Sequence, residues 1–208
     1  MKSLLVINSS AAREGSVSRT LVEEAVARLL ESNPFAEVVR RDLGANPLPH
    51  LTTETLNGVR GTPTTAAELR AREVSDELLA ELRAADTLVI GAPMYNFGLP
   101  TSLRAWFDYV LRAGETFSYS EAGPKGLLGG KRAVVIESRG GLYSEGPASA
   151  IDFQEPYLRH LLGFMGITDV TFVRAEKIGF GPQARATALE QAKAQIAQLA
   201  GEPLELAA

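Results

Sequence analysis

Residues 87–98 read Thr-Leu-Val-Ile-Gly-Ala-Pro-Met-Tyr-Asn-Phe-Gly, and this stretch decides the fold class of the chain. Its first five residues lack the polar alternation of a half-exposed strand, so they predict a strand that is buried on both faces. A short loop with proline and glycine follows, and a helical pattern of apolar residues then runs from Leu99 to Arg112. A buried strand that leads into a helix is the repeating unit of a parallel sheet covered by helices.

The same unit recurs on both sides of this stretch. Four more strands are predicted, and the second of them is less apolar, as edge strands tend to be: Leu4–Asn8, Glu37–Asp42, Ala133–Ile136 and Val170–Val173. The other predicted helices are Ser18–Leu30, Ser75–Arg83, Pro156–Met165 and Gln183–Leu199. Five alternations predict one α/β domain over residues 1–208, with a doubly wound parallel sheet in the order 2-1-3-4-5 and helices on both faces. Residues 201–208 are expected to form a loose tail.

Composition argues against several classes of function. A net charge of −4 disfavours nucleic acid as a partner, because such binding depends on neutralising phosphates. The absence of cysteine excludes disulfides, thiolate metal sites and cysteine nucleophiles. His50 and His160 lie far apart, so no metal site is expected. No apolar stretch is long enough for a membrane span or a signal peptide, and we therefore expect a cytoplasmic protein.

The loop after the first strand, residues 9–20, is rich in hydroxyl groups and runs into a helix. In doubly wound sheets, ligands bind at the carboxyl ends of the strands where the winding direction reverses, here between strands 1 and 3. A helix N-terminus attracts anions, and Ser10, Ser16 and Ser18 add hydroxyl donors. Because the loop is neither a P-loop nor GxGxxG, a terminal phosphomonoester fits better than a triphosphate or a dinucleotide. The alternative is an ordinary serine cap.

Two further loops end at the same edge of the predicted sheet. Met94, Tyr95 and Phe97 present the large apolar faces that a flat heterocycle requires, unless they only fill the core at the sheet edge. Ser138-Arg139-Gly140-Gly141 follows the fourth strand, and its paired glycines let backbone N–H groups approach a ligand, unless they form a simple turn.

Two connections, Gly44–Ala66 and Gly114–Lys131, are long for a domain of this size. Loops of this length are usually functional or form an interface. Phe117 and Tyr119 are candidates to close the ring pocket, including from a second subunit. The alternative is that both connections are solvated excursions.

Four runs carry a resemblance to a known family: Ala92–Phe97, Arg112–Gly114 with Thr116-Phe117, Gly123-Pro124 with Gly126-Leu127, and Ser138–Gly141. In this order and at this spacing, they resemble the FMN-dependent NADH-azoreductases, which are also called FMN-dependent NADH:quinone oxidoreductases. The similarity extends from Leu4 to about Leu199.

The resemblance implies a flavodoxin-like fold and a homodimer with one FMN per subunit at the interface. It implies a ping-pong reaction in which a hydride passes from NADH or NADPH through FMN to a quinone, giving the hydroquinone, or to an azo compound, which is cleaved to amines. No catalytic side chain and no metal are expected, because the cofactor carries the hydride.

The resemblance also implies the residues of the site. The cofactor-binding positions are Ser10, Ser16, Val17 and Ser18 at the phosphate, Met94, Tyr95, Asn96 and Phe97 along the isoalloxazine, and Ser138, Arg139, Gly140 and Gly141 at its far edge. Independently of the resemblance, the two long connections offer Arg60, Phe117 and Tyr119 as candidates for the acceptor pocket, and Tyr143 is a fourth candidate. Some relatives have histidine at the position of Tyr143, and Arg60 is the candidate to meet the extra phosphate of NADPH.

Two other classes of protein compete with this hypothesis. A flavodoxin-type electron carrier would dock a protein partner and leave the flavin edge exposed, whereas residues 114–131 favour a covered ring. A flavin-free regulatory protein could use the same fold for another phosphate-bearing ligand.

Overall fold

A computed structural model describes residues 1–199, so the predicted tail at 201–208 lies outside the described residues. Its strands are β1 (Ser3–Asn8), β2 (Glu37–Asp42), β3 (Thr87–Pro93), β4 (Phe117–Ser120), β5 (Gly123–Gly126), β6 (Arg132–Ser138) and β7 (Asp169–Ala175). Five of them form a parallel sheet in the order β2-β1-β3-β6-β7. This confirms the predicted order 2-1-3-4-5, counted over the strands of that sheet. β4 and β5 form a separate antiparallel hairpin.

The helices are α1 (Val17–Glu31), α2 (Leu56–Arg60), α3 (Ala66–Ala84), α4 (Thr101–Val110), α5 (Glu155–Phe164) and α6 (Pro182–Gln198), with a short 3-10 helix at Pro147–Ile151. α3 begins at Ala66 rather than at the predicted Ser75. A capping box starts it, in which Thr65 accepts from the Glu68 amide and Glu68 accepts from the Thr65 amide. Because Leu69 in the first turns is half exposed, the apolar stripe alone did not reveal this part of the helix.

The core lies on both faces of the sheet. Leu5 and Ile7 of β1 pack into the cluster with α3, α4 and α5, while Leu4 and Val6 pack into the cluster with α1 and α6. Burying such a side chain contributes about 1.5–3 kcal/mol, and burial on both faces explains why the central strands read as unbroken apolar runs. β2 lies at the edge and is only half-buried, in keeping with its more polar sequence.

The register of the sheet brings four loops to one edge. Asn8 at the end of β1 pairs with Asp42 of β2 on one side and with Gly91 of β3 on the other. Pro93 of β3 pairs with Ser138 of β6, which pairs in turn with Ala175 of β7. The loops after β1, β3, β6 and β7 therefore leave the sheet side by side, at the edge where doubly wound folds bind ligands.

The two long connections both contain regular structure. α2 lies within Gly44–Ala66, and the β4–β5 hairpin lies within Gly114–Lys131. Of the helices in residues 1–199, none is long and apolar enough to cross a membrane. The same part of the chain contains no cluster of three or more potential metal ligands from His, Cys, Asp and Glu.

Candidate functional site

Three serine hydroxyls converge at the N-terminus of α1. Ser16 is the N-cap, and its hydroxyl lies 2.9 Å from that of Ser10 and 3.3 Å from that of Ser18. All three residues are buried, Ser10 and Ser16 in the loop that follows β1 and Ser18 in the first turn of α1. Since the amides of Val17 and Ser18 lie in the first helical turn, they have no acceptor within the helix. The cluster thus combines hydroxyl donors, free amides and the positive end of the helix dipole, which is a donor set suited to a phosphate.

An ion pair that the sequence did not predict, between Arg19 and Asp42, holds this loop in place. Arg19 donates to both carboxylate oxygens of Asp42 at 2.7 Å and also to the carbonyl oxygens of Ser10 and Ala12. The Arg19 guanidinium lowers the pKa of Asp42, and the Gly44 and Ala45 amides that the carboxylate accepts from lower it further. The predicted parallel pairing of β1 with β2 could have indicated this pair, because both strands end at the same edge of the sheet and so bring Asp42 close to the loop after β1.

The loop after β3 contains a tight turn with two strained residues. Tyr95 and Gly98 exchange both backbone hydrogen bonds, at 3.0 and 3.1 Å. Between them, Asn96 and Phe97 have φ angles of 48° and 69°. Positive φ at both central positions defines a type I′ turn, and it is unusual for a residue as bulky as phenylalanine. Backbone strain of this kind is concentrated at ligand sites.

Hydrogen bonds join this turn, and the strand before it, to the loop that contains Ser10. The Ala11 amide donates to the Tyr95 hydroxyl at 3.1 Å, and the Ser9 hydroxyl donates to the Gly91 carbonyl at 2.6 Å. Tyr95 and Phe97 remain partly exposed, at 39% and 45%. The aromatic faces and the donor set therefore lie on neighbouring loops, with apolar surface still open to a ligand.

The loop after β6 faces the aromatic turn. The Tyr143 ring meets Phe97 edge to face at 6.1 Å between ring centroids, and the Met94 amide donates to the Ser138 carbonyl. A side chain at Gly141 would come within 3.1 Å of the Tyr143 ring, so the absence of a Cβ lets that ring lie close to the backbone. The structure thus brings the second and third predicted loops together.

A fourth loop, after β7, was missed by sequence reasoning. Its amides donate to the loop after β6: Lys177 to the Gly141 carbonyl at 2.8 Å, and Gly179 to the Gly140 carbonyl at 3.0 Å. Lys177 has a φ of 63°, and Phe180 is largely exposed beside it. Two glycines shortly after a predicted strand, Gly179 and Gly181, could have indicated this loop in the sequence.

Arg139 differs from its neighbours among the predicted cofactor contacts. Its side chain is fully buried, and its guanidinium pairs with the carboxylates of Glu137 and Asp152 at 2.6 and 3.0 Å. Burial, together with the nearby carboxylates of Glu155 and Asp152, raises the pKa of Glu137 to about 8, against the opposing effect of Arg139. The hypothesis that this arginine meets the cofactor directly stays a prediction, but the guanidinium is directed into the protein.

The four candidates for the acceptor pocket occupy two places. Arg60 and Phe117 line a cavity of about 320 Å³ together with Arg72, Arg112 and Glu115. Phe117 is only 6% exposed and packs on Phe164, whereas Tyr119 is 73% exposed and meets the edge of Phe117. Tyr143 lies elsewhere, against Phe97. Within residues 1–199, no ring contact links Phe117 or Tyr119 to Phe97 or Tyr143.

The site as a whole fits a ligand with a phosphate at one end and a flat apolar ring at the other. The buried hydroxyls and first-turn amides of α1 suit the phosphate. The half-exposed faces of Tyr95 and Phe97, opposite the glycines of the loop after β6, suit the ring. FMN has this construction, so the residues present fit it.

Comparisons with known proteins agree with this geometry. Residues 2–200 match the model of a family described as having a flavodoxin-like fold. Over 200 residues, 96% of each chain, the sequence is 70% identical to an FMN-dependent NADH:quinone oxidoreductase of Hyphomonas neptunium. It is 51% identical to FMN-dependent NADH:quinone oxidoreductase 3 of Pseudomonas aeruginosa, over 95% of this chain and 92% of that one.

The chain is also similar to solved structures of azoreductases. An azoreductase from Bacillus anthracis superposes with a TM-score of 0.88 at 32% identity, over 96% of this chain and 99% of that one. An FMN-dependent NADH-azoreductase from the same organism, solved in complex with FMN, superposes with a TM-score of 0.85 at 26% identity, over 97% of this chain and all of the other.

Proposed function

This chain belongs to the flavodoxin-like family of FMN-dependent NADH:quinone oxidoreductases and azoreductases, and we propose that it is an FMN-dependent oxidoreductase that passes a hydride from NADH to a quinone or an azo compound. The observation that carries the proposal is the hydrogen bond from the Ala11 amide, which follows Ser10 of the serine cluster, to the Tyr95 hydroxyl of the aromatic turn. It supports a phosphate site and a ring site on adjacent loops, at the edge where the winding of the sheet reverses.

In this proposal the protein anchors and orients the cofactor. Ser10, Ser16 and Ser18 hold the phosphate together with the free amides at the start of α1, and four bonds of about 1.5 kcal/mol each are compatible with retention of the cofactor. Met94 to Phe97 would hold one side of the ring, and Ser138 to Gly141 would meet its far edge, where backbone amides would polarise it. FMN supplies hydride acceptance and donation when it is bound.

The finer points of the reaction form part of the proposal. Donor and acceptor use the same pocket in turn, which gives ping-pong kinetics. The quinone is reduced by two electrons to the hydroquinone, and an aromatic azo compound is cleaved to amines. Because the cofactor carries the hydride, the proposal assigns no metal and no protein nucleophile to the reaction.

We also propose that the protein acts as a homodimer. Exposed aromatic side chains support this: Phe153 is 62% exposed, and its amide donates to the Phe97 carbonyl beside the site. Tyr119 in β4, one residue before the end of the strand, is similarly exposed. Large exposed apolar side chains near a site are typical of interaction surfaces. In the dimer, the hairpin of the partner subunit would cover the ring site, which is exposed to solvent in a single chain.

A visible absorption spectrum of the purified protein tests the proposed function. We expect a yellow flavin spectrum that bleaches with NADH under anaerobic conditions and returns when a small quinone is added. A yellow protein that NADH does not bleach would instead indicate an electron carrier. A protein that stays colourless after incubation with FMN would contradict the assignment of the cofactor.

A further inference from the structure

Arg139 is a fully buried cation at the centre of the loops that form the site. Its Nε donates to Gln154 Oε1 at 3.1 Å, and its Nη1 lies 3.0 Å from Asp152 and 3.3 Å from Glu176. Its Nη2 lies 2.6 Å from Glu137 and 3.7 Å from Glu155. The guanidinium therefore directs all three of its nitrogens at protein oxygens.

The backbone of Arg139 is occupied as well. Its amide donates to the Ala175 carbonyl at 2.9 Å, and its carbonyl accepts from the Ile178 amide at 3.2 Å. Because the side chain is fully buried and the backbone is paired, neither is free to meet a ligand. Direct contact with the cofactor is thus the less suitable role for this residue.

Two partners of Arg139 each hold a loop of the site. Gln154, also fully buried, donates from Nε2 to the carbonyl of Ala92, just before the aromatic turn. Glu176 accepts from the amides of Tyr143 and Ser144 at 2.8 and 3.0 Å. A single guanidinium therefore connects the segment before Met94 to the segment that carries Tyr143.

Only arginine can make this connection. Its planar fork presents five N–H donors in fixed directions, whereas the ammonium of lysine is a compact charge with three donors. A lysine at this position could reach one or two of the carboxylates, but not Gln154, Glu137 and Glu176 together. The geometry therefore depends on the shape of the side chain as well as on its charge.

We propose that Arg139 is a positioning residue that sets the spacing between residues 94–97 and residues 140–143, without touching the cofactor itself. This inference rests on the proposed function, because it assumes that the FMN ring lies between these two segments. It predicts that loss of Arg139 weakens binding of the ring and leaves the phosphate site intact.

The test compares FMN with riboflavin, which has the same ring but no phosphate. Flavin is removed from the full-length protein, and the dissociation constants of both ligands are measured from quenching of flavin fluorescence. For Arg139→Lys we expect both constants to rise by about tenfold, so that their ratio stays that of the parent protein. Arg40→Lys is the matched control, because Arg40 pairs with Glu23 on the exposed surface.

Three results would overturn the inference. Unchanged affinity for both flavins would show that Arg139 does not position the ring. A loss confined to FMN would show that it acts on the phosphate. A rise of similar size in Arg40→Lys would show a general effect of replacing arginine. By contrast, failure of the parent protein to bind FMN would contradict the proposed function rather than this inference.

A second variant covers the case in which Arg139→Lys does not fold, as judged by circular dichroism. Gln154→Met keeps the volume and the buried ion pairs, and removes only the link from Arg139 to Ala92. We expect the same parallel loss for FMN and riboflavin, of severalfold. If Gln154→Met bound both flavins as the parent does, the connection through Arg139 would not set the spacing of the site.

Discussion

Glu137 is fully buried, and within residues 1–199 its Oε1 has no hydrogen-bond partner. Its other oxygen pairs with Arg139, which also faces Asp152, Glu155 and Glu176. Burial and the neighbouring carboxylates raise the pKa of Glu137 from 4.5 to about 8. We therefore expect the folded protein to hold a proton at Glu137 near neutral pH that the unfolded chain has released.

The sign of the resulting pH dependence follows from proton binding. Between pH 4.5 and about 8 the folded state binds more protons at Glu137 than the unfolded state does, so this residue makes stability fall as the pH rises. We expect the free energy of unfolding of the parent protein to fall between pH 6 and 8 relative to that of Glu137→Gln, by about 1 kcal/mol per pH unit. Urea unfolding at several pH values measures this difference.

The control for this measurement is Glu73→Gln, which replaces an exposed glutamate on α3. Its pH profile should parallel that of the parent protein. Equal slopes for the parent and Glu137→Gln would mean that Glu137 does not hold a proton in the folded state.

At the scale of the element, α1 combines a structural and a binding role at the same end. Ser16 caps the helix by accepting from the Arg19 amide, and its hydroxyl also meets those of Ser10 and Ser18. Loss of a serine cap costs about 1 kcal/mol of protein stability. Loss of two hydroxyl donors to a phosphate, by contrast, weakens the binding only of ligands that carry a phosphate.

We therefore expect the double substitution Ser16→Ala with Ser18→Ala to raise the dissociation constant of FMN by about tenfold or more and to leave that of riboflavin nearly unchanged. Fluorescence titration with both flavins checks this. Ser32→Ala serves as the control, because Ser32 is exposed at the other end of the same helix. An unchanged affinity for FMN would contradict the assignment of the phosphate site to this end of α1.

At the scale of the whole molecule, the β4–β5 hairpin carries one exposed and one buried aromatic side chain. Tyr119 is largely exposed and contacts Phe117, which is itself buried against Phe164. Replacing Phe117 would disturb the packing of the hairpin, so Tyr119 is the better probe of a role between subunits.

If the hairpin of a partner completes the acceptor pocket, Tyr119→Ala should lower kcat/KM for the quinone by about tenfold, since a large aromatic contact is lost. Light scattering should give twice the 22.3 kDa of one chain for the parent protein. Phe35→Ala is the control, because Phe35 is 98% exposed on the loop after α1. A monomeric parent protein with unchanged kinetics in Tyr119→Ala would contradict the homodimer.

Much of the fold follows from the sequence. Unbroken apolar runs identified four of the five strands of the sheet, because a strand that is covered on both faces must be apolar throughout. Together with the alternation of strand and helix they gave the order of the sheet, and so placed the loops after Asn8, Pro93 and Ser138 at one edge. The hydroxyl-rich entry to α1 was likewise visible, because helix caps depend on neighbouring residues.

Only the tertiary structure decided which side chains hold the loops of the site in place. Arg139 read as one member of a glycine-rich loop, but its partners Asp152, Gln154 and Glu176 come from separate parts of the chain. The pairing of Arg19 with Asp42 is of the same kind. Hydrophobic periodicity reports which face of an element is buried, since burial repeats along the chain. A buried ion pair leaves no such repeat, because its energy depends on where distant segments meet after the sheet has formed.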